Sequence, residues 1–203
     1  MKNKKMLSIS ASLAALALFA GAQANAQFTG ANVGTPALPG SATTAGGVTT
    51  IVGGGNDIWG ATDNFYYYYK TVNSPKFDAI VQVRTLEGPD AWTKCELMLR
   101  VPDATGLPQG PDPFLALMTT RTNGQNQIGP QWRVSRGGQA DWTAMGKTIR
   151  PTYLPNPPTW LRIQREGSIF TLSYGTDGTT WTEYGKIDTF NGTPVGGDQR
   201  GLL

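Results

Sequence analysis

Beyond residue 26 the chain runs in short stretches of alternating or apolar residues, broken by Gly, Pro, Asn and Asp, and no stretch sustains a helical period. The pattern predicts strands over 48–52 (VTTIV), 64–70 (NFYYYYK), 77–86 (FDAIVQVRTL), 93–101 (TKCELMLRV), 114–120 (FLALMTT), 126–134 (NQIGPQWRV), 160–166 (WLRIQRE), 169–176 (IFTLSYGT) and 179–185 (TTWTEYG). That many strands in one chain call for two packed sheets or a barrel, so the fold class is all-β. Glu166-Gly167-Ser168 and Thr176-Asp177-Gly178 read as tight turns, and an Asp-Gly step between alternating runs is a strong hairpin signal.

Successive side chains of a strand point to opposite sides of its sheet, so the alternation also assigns faces. In 93–100 it sets Thr93, Cys95, Leu97 and Leu99 toward a core, and Lys94, Glu96, Met98 and Arg100, with Trp92 before them, on an amphiphilic face. In 77–84 it sets Phe77, Ala79, Val81 and Val83 against Asp78, Ile80, Gln82 and Arg84. Gln131 and Arg133 alternate with Trp132 in the same way. The four consecutive tyrosines must serve two surfaces: Phe65, Tyr67 and Tyr69 on a structural face, Tyr66 and Tyr68 on the amphiphilic one. Two stretches, 101–113 and 137–159, read as long loops, either functional rims or simply mobile, and 30–47 has the composition of a linker.

The N-terminus changes the picture of charge. MKNKK, an apolar run from Met6 to about Ala22 and the small-residue end AQANA form a secretory signal peptide, with cleavage expected after Ala26 and an exported domain over 27–203. Its removal takes three of the 17 basic residues and none of the 14 acidic ones, leaving a formally neutral chain. A neutral domain gives no electrostatic reason to bind nucleic acid, and no membrane span is expected once the signal is gone. Cys95 is the single cysteine, so an exported domain draws its stability from packing, with Cys95 as a small buried hydrophobe.

The ordered set VGTPALPGSA, GGGNDIWG, DAWTKCELMLR, QWR and WLRIQREGSIFTLSYGTDGTTWT resembles a family of secreted bacterial modules of largely unknown function. That family lies in the concanavalin A-like lectin/glucanase superfamily, related to domains labelled regulation-of-enolase-like. The resemblance implies a two-sheet antiparallel β-sandwich of jelly-roll type, with much of 30–47 as a first edge strand. It also implies a further core strand and a final strand beyond DQRGLL, so the chain is expected to be a C-terminally truncated member.

In such a sandwich one sheet is concave, and saccharides lie across it or over its rim loops. Sugar recognition needs a flat aromatic for the ring face and fixed polar groups for hydroxyls. Tyr66, Tyr68, Gln82, Arg84, Trp92, Lys94, Arg100, Gln131 and Arg133 supply both, and Trp142 adds a loop aromatic. The plainer reading is a solvated sheet face of paired charges that binds nothing. Trp59, Trp160 and Trp181 are expected in the core. The expected function is therefore a non-catalytic binding module for carbohydrate or another cell-surface polymer, with a structural or adhesive spacer as the alternative.

Catalysis has little to stand on. Glu87, Glu96, Glu166 and Glu183 have no second carboxylate two or four residues away, as a glucanase strand would, and the absence of histidine excludes histidine-activated nucleophiles and histidine metal ligands. No cofactor is expected. Loop carboxylates at Asp57, Asp63, Asp103, Asp112 and Asp141 leave calcium open, but they read first as turn formers, and Asp57 as a bond to buried amides.

Overall fold

A computed structural model describes residues 27–120, 126–141, 152–154 and 159–189. In chain order the strands are β1 (Thr29–Val33), β2 (Leu38–Ala45), β3 (Val48–Gly54), β4 (Ile58–Trp59), β5 (Thr62–Asp63), β6 (Phe65–Tyr69), β7 (Lys76–Val83), β8 (Lys94–Arg100), β9 (Phe114–Thr120), β10 (Asn126–Arg133), β11 (Thr152–Leu154), β12 (Thr159–Glu166), β13 (Ile169–Gly175) and β14 (Thr182–Asp188). One four-stranded sheet runs β11-β10-β9-β8 and a second runs β14-β13-β12-β7, each antiparallel throughout. The fold is an all-β sandwich of two antiparallel sheets, with three short pairs beside it: β1-β6, β2-β3 and β4-β5.

The inner faces follow the alternation. Leu115, Leu117, Ile128 and Trp132 from the first sheet meet Val83, Leu161, Ile163, Phe170, Leu172 and Ile187 from the second, with Leu97 and Leu99 packed against them. Each fully buried Leu, Ile or Phe contributes about 1.5–3 kcal/mol, which suffices for a domain without a disulfide. Cys95 joins this core, and burial pushes its thiol up to about 11, so the reactive thiolate is scarce at neutral pH.

Glu166 pairs with Ile169 across a two-residue turn in which Gly167 takes φ +62°, as the sequence requires. The next turn is longer than expected. The Asp177 carboxylate accepts the amides of Thr179 and Thr180, which extends the loop and starts β14 three residues later than 179.

Strand pairs β1-β6 and β4-β5 form a third layer on the outside of the first sheet. Ile58, Phe65 and Tyr67 pack on Met98, Phe114 and Ala116, and Tyr67 donates its hydroxyl to the Met98 carbonyl at 2.9 Å. Burial raises the Tyr67 hydroxyl to about 12, so it stays a donor. Tyr69 stacks on Tyr67 at 5.0 Å, so Phe65, Tyr67 and Tyr69 form the structural side of β6.

On the other side of β6 lies the β2-β3 hairpin, so 30–47 is largely strand, as the resemblance implies, and not the linker its composition suggests. Its polar, glycine-rich sequence lacks a core-like pattern because most of its residues are exposed. A Gly46-Gly47 turn with both φ values positive closes it. Gly40 and Gly30 have a further role: a Cβ on either would lie 2.3 Å and 1.8 Å from the Tyr66 side chain.

Candidate functional site

The expected binding residues do not share one face. Lys94, Arg100, Gln131 and Arg133 project from the outside of the first sheet, whereas Gln82 projects from the outside of the second and Arg84 follows it. The hydrophobic core separates the two groups.

The first group is covered by the third layer, which corrects the expectation of an open concave face. Arg133 is buried completely and the Arg100 side chain is 1% exposed. Both guanidinium groups converge on Asp63, which accepts from Arg100 Nη2 at 2.7 Å and from Arg133 Nη1 at 2.8 Å. Arg133 also donates to the carbonyls of Gly138 at 2.8 Å and Gly60 at 3.0 Å, and Arg100 donates to that of Gly110. Both cations lie over the Phe114 ring. Buried Gln131 donates to the Ile58 carbonyl at 2.6 Å. Lys94 pairs with Asp57, whose carboxylate also accepts the Ile58 amide at 2.7 Å, the structural role expected for it. A bound polymer meets none of Arg100, Gln131 and Arg133, because their side chains are buried beneath residues 57–69 and the 110–112 and 138 backbone, to which they donate.

The loop carboxylates are committed too. Asp112 pairs with Arg136, and Asp103 accepts the Thr105 amide at 2.8 Å, an ordinary turn. Among the described residues no three acidic or cysteine side chains converge as metal ligands.

Glu96 stands apart inside this layer because neither of its carboxylate oxygens has a hydrogen-bond partner. The residue as a whole is half-buried, but both of these oxygens are buried. Burial pushes its carboxyl up to about 7, against the pull of the Lys94 charge. A carboxyl tuned in this way is what an acid catalyst needs. Here it lies beneath Asp57, Asp63 and their cations, closed to a substrate.

The open site lies on the other side. An open groove of about 510 Å³ is lined by Val48 from the tip of the β2-β3 hairpin and by Gln82, Arg84 and Thr85 at the end of β7. Gln82 pairs across the sheet with Trp160, so the groove borders the outward face of the second sheet. Trp160 packs against the Gly178 turn, and Arg162 lies over the Trp181 ring at 5.0 Å. Trp160 and Trp181 are therefore half-buried on this outer face and not in the core, and Trp59 is 46% exposed. The tryptophan that does fill the core is Trp132.

The remaining candidates are scattered. Tyr66 is covered by Gly30 and Gly40, and Tyr68 stacks on Phe28 at 5.2 Å. Trp92, 55% exposed, sits at the far end of the 84–93 connection that begins at Arg84, where its amide is accepted by Asp90 at 2.7 Å. Trp142 lies outside the described residues. The sequence reading missed Val48 and Thr85, because a hairpin tip meeting a distant strand end leaves no local pattern.

No family model, curated protein or solved structure matches the chain.

Proposed function

We propose that the protein is a secreted, non-catalytic module of concanavalin A-like type that binds carbohydrate or another cell-surface polymer. The groove at Val48, Gln82, Arg84 and Thr85 is its contact surface. The observation that carries this reading is the composition of the groove: an apolar wall, an amide, a hydroxyl and a cation around one open concavity. An extended polyol needs that mixture, with apolar area for the ring and donors and acceptors for its hydroxyls. The signal-like N-terminus supports export.

One observation favours the spacer alternative. The β2-β3 hairpin exposes Leu38, Ile51 and Val52, at 68%, 50% and 57%, which suits docking to another protein. Hydrolysis is the weakest reading, since among the described residues the one carboxyl tuned as an acid, Glu96, is enclosed.

Thermal melts of the purified full chain against a panel of neutral and charged polysaccharides test the proposal. A ligand held at about a hundred times its Kd stabilises by about 2.7 kcal/mol. The expected result is stabilisation by one class of polymer, lost in Gln82→Ala. Melts that no polymer moves, or a shift that Gln82→Ala leaves intact, would remove the groove and favour the spacer.

A further inference from the structure

We infer that the groove recognises a carboxylate of an acidic polysaccharide, seated on the guanidinium of Arg84; this rests on reading the groove as a polymer site. Among the described residues Arg84 is the one basic side chain with no carboxylate, carbonyl or aromatic ring as partner. Every other one is engaged, including Lys70 over Phe28 and Arg165 on the Gly167 carbonyl. The chain thus satisfies nine of its ten described cations internally and leaves the tenth in a groove whose other lining residues carry no charge.

The same face provides a template for what is missing. Arg162 holds Asp78 through two parallel bonds, Nε to Oδ1 at 2.9 Å and Nη2 to Oδ2 at 2.6 Å. Arg84 has the same planar fork, always charged and matched to a carboxylate, and no internal acid to displace. Gln82 and Thr85 beside it offer the donors and acceptors that sugar hydroxyls need, and Val48 offers an apolar contact for a ring face. A polyanion such as nucleic acid requires a track of cations, whereas this groove supplies one. A polymer with one carboxylate among several hydroxyls per residue matches that ratio.

The test is calorimetric titration of the full chain with polygalacturonate, with the same polymer after carboxyl reduction, and with dextran sulfate. Arg84→Ala, Arg84→Lys and Lys76→Ala are compared with the parent. Lys76 lies at the opposite end of β7, so its loss changes net charge equally without touching the groove. The expected result is binding of polygalacturonate that falls about tenfold or more in Arg84→Ala, falls less in Arg84→Lys, is kept in Lys76→Ala and disappears on carboxyl reduction. If the reduced polymer binds as well as the acidic one and Arg84→Ala is silent, the anionic assignment falls while the polymer site stands. Dextran sulfate bound in preference to polygalacturonate overturns the carboxylate. A Lys76→Ala loss equal to that of Arg84→Ala reduces the effect to bulk charge and overturns the site. If no polymer binds, this inference and the proposed function fail together.

Discussion

The two outward faces of the sandwich are written alike and end differently. Each is the polar half of strands whose other half fills the core. On the second sheet the charges pair in the open: Lys76 with Glu166, both nearly 80% exposed, Lys186 with Glu183, and Arg162 with a partly exposed Asp78. On the first sheet the third layer seals them: Asp63, Arg100 and Arg133 have side chains at most 1% exposed. The difference is the cover. Residues 57–69 bring Asp57 and Asp63 down onto Lys94, Arg100 and Arg133, so the buried charges arrive with counter-charges and carbonyl acceptors already supplied. Burying an ion costs several kcal/mol unless its partners are complete, while an exposed pair contributes little either way. A polar strand face therefore does not announce whether it faces water or a partner of opposite charge.

The largest expected effect comes from breaking the covered face at its centre. Asp63→Ala leaves two buried guanidinium groups without their shared acceptor, and the expected loss is about 3–5 kcal/mol, measured by urea unfolding. A loss below about 1 kcal/mol would mean that water reaches the layer and that the two faces do not differ as described.

Glu96 gives the covered face a pH dependence. Its carboxyl is raised from an ordinary 4.5 to about 7, chiefly by burial, with Lys94 and Arg100 opposing and Asp57 and Asp63 reinforcing. The folded protein holds that proton more tightly than the unfolded chain. Below the unfolded value both states are protonated and nothing is lost. As pH rises from 4.5 to about 7 the folded state keeps a proton the unfolded chain has released, so stability falls through that window and the full cost stands above it. The gap corresponds to about 3 kcal/mol. Glu96→Gln removes the dependence. Its stability relative to the parent should rise by about 3 kcal/mol between pH about 4 and about 8, read from urea midpoints at each pH. A relative stability flat across that range would place a donor or water on the Glu96 carboxylate.

How much of this was legible follows from where the causes lie. The sandwich strands were readable because a half-buried strand alternates: Leu115, Leu117, Leu161 and Ile163 occupy the inward positions their spacing dictates. In the outer hairpin β3 was readable as VTTIV over 48–52, whereas β2 was not, because its residues are largely exposed and alternation has nothing to record. The role of Gly30 and Gly40 depends on Tyr66, residues away in sequence and touching only in three dimensions. Gln82 and Arg84 were singled out correctly as outward-facing, but Arg100, Gln131 and Arg133 carry the same local signature and have buried side chains. Charge pattern along a strand is local, while the cover that decides its fate comes from residues 57–69.

The smallest effect sharpens the contrast from the other side. Asp78→Ala removes a carboxylate that accepts two bonds from Arg162, a guanidinium–carboxylate pairing of the same chemistry as the one at Asp63 in the buried layer. Asp78 is 41% exposed at its side chain, so water replaces the lost acceptor, and Arg162 keeps its seat over the Trp181 ring. The expected loss is about 0.5–1 kcal/mol by urea unfolding, near the upper end for an exposed pair because the geometry is bidentate. It should shrink in concentrated salt, as screening reaches an exposed pair and not a buried one. A loss matching that of Asp63→Ala would show that pair geometry and not burial sets the energy, and the comparison between the two faces would lose its basis.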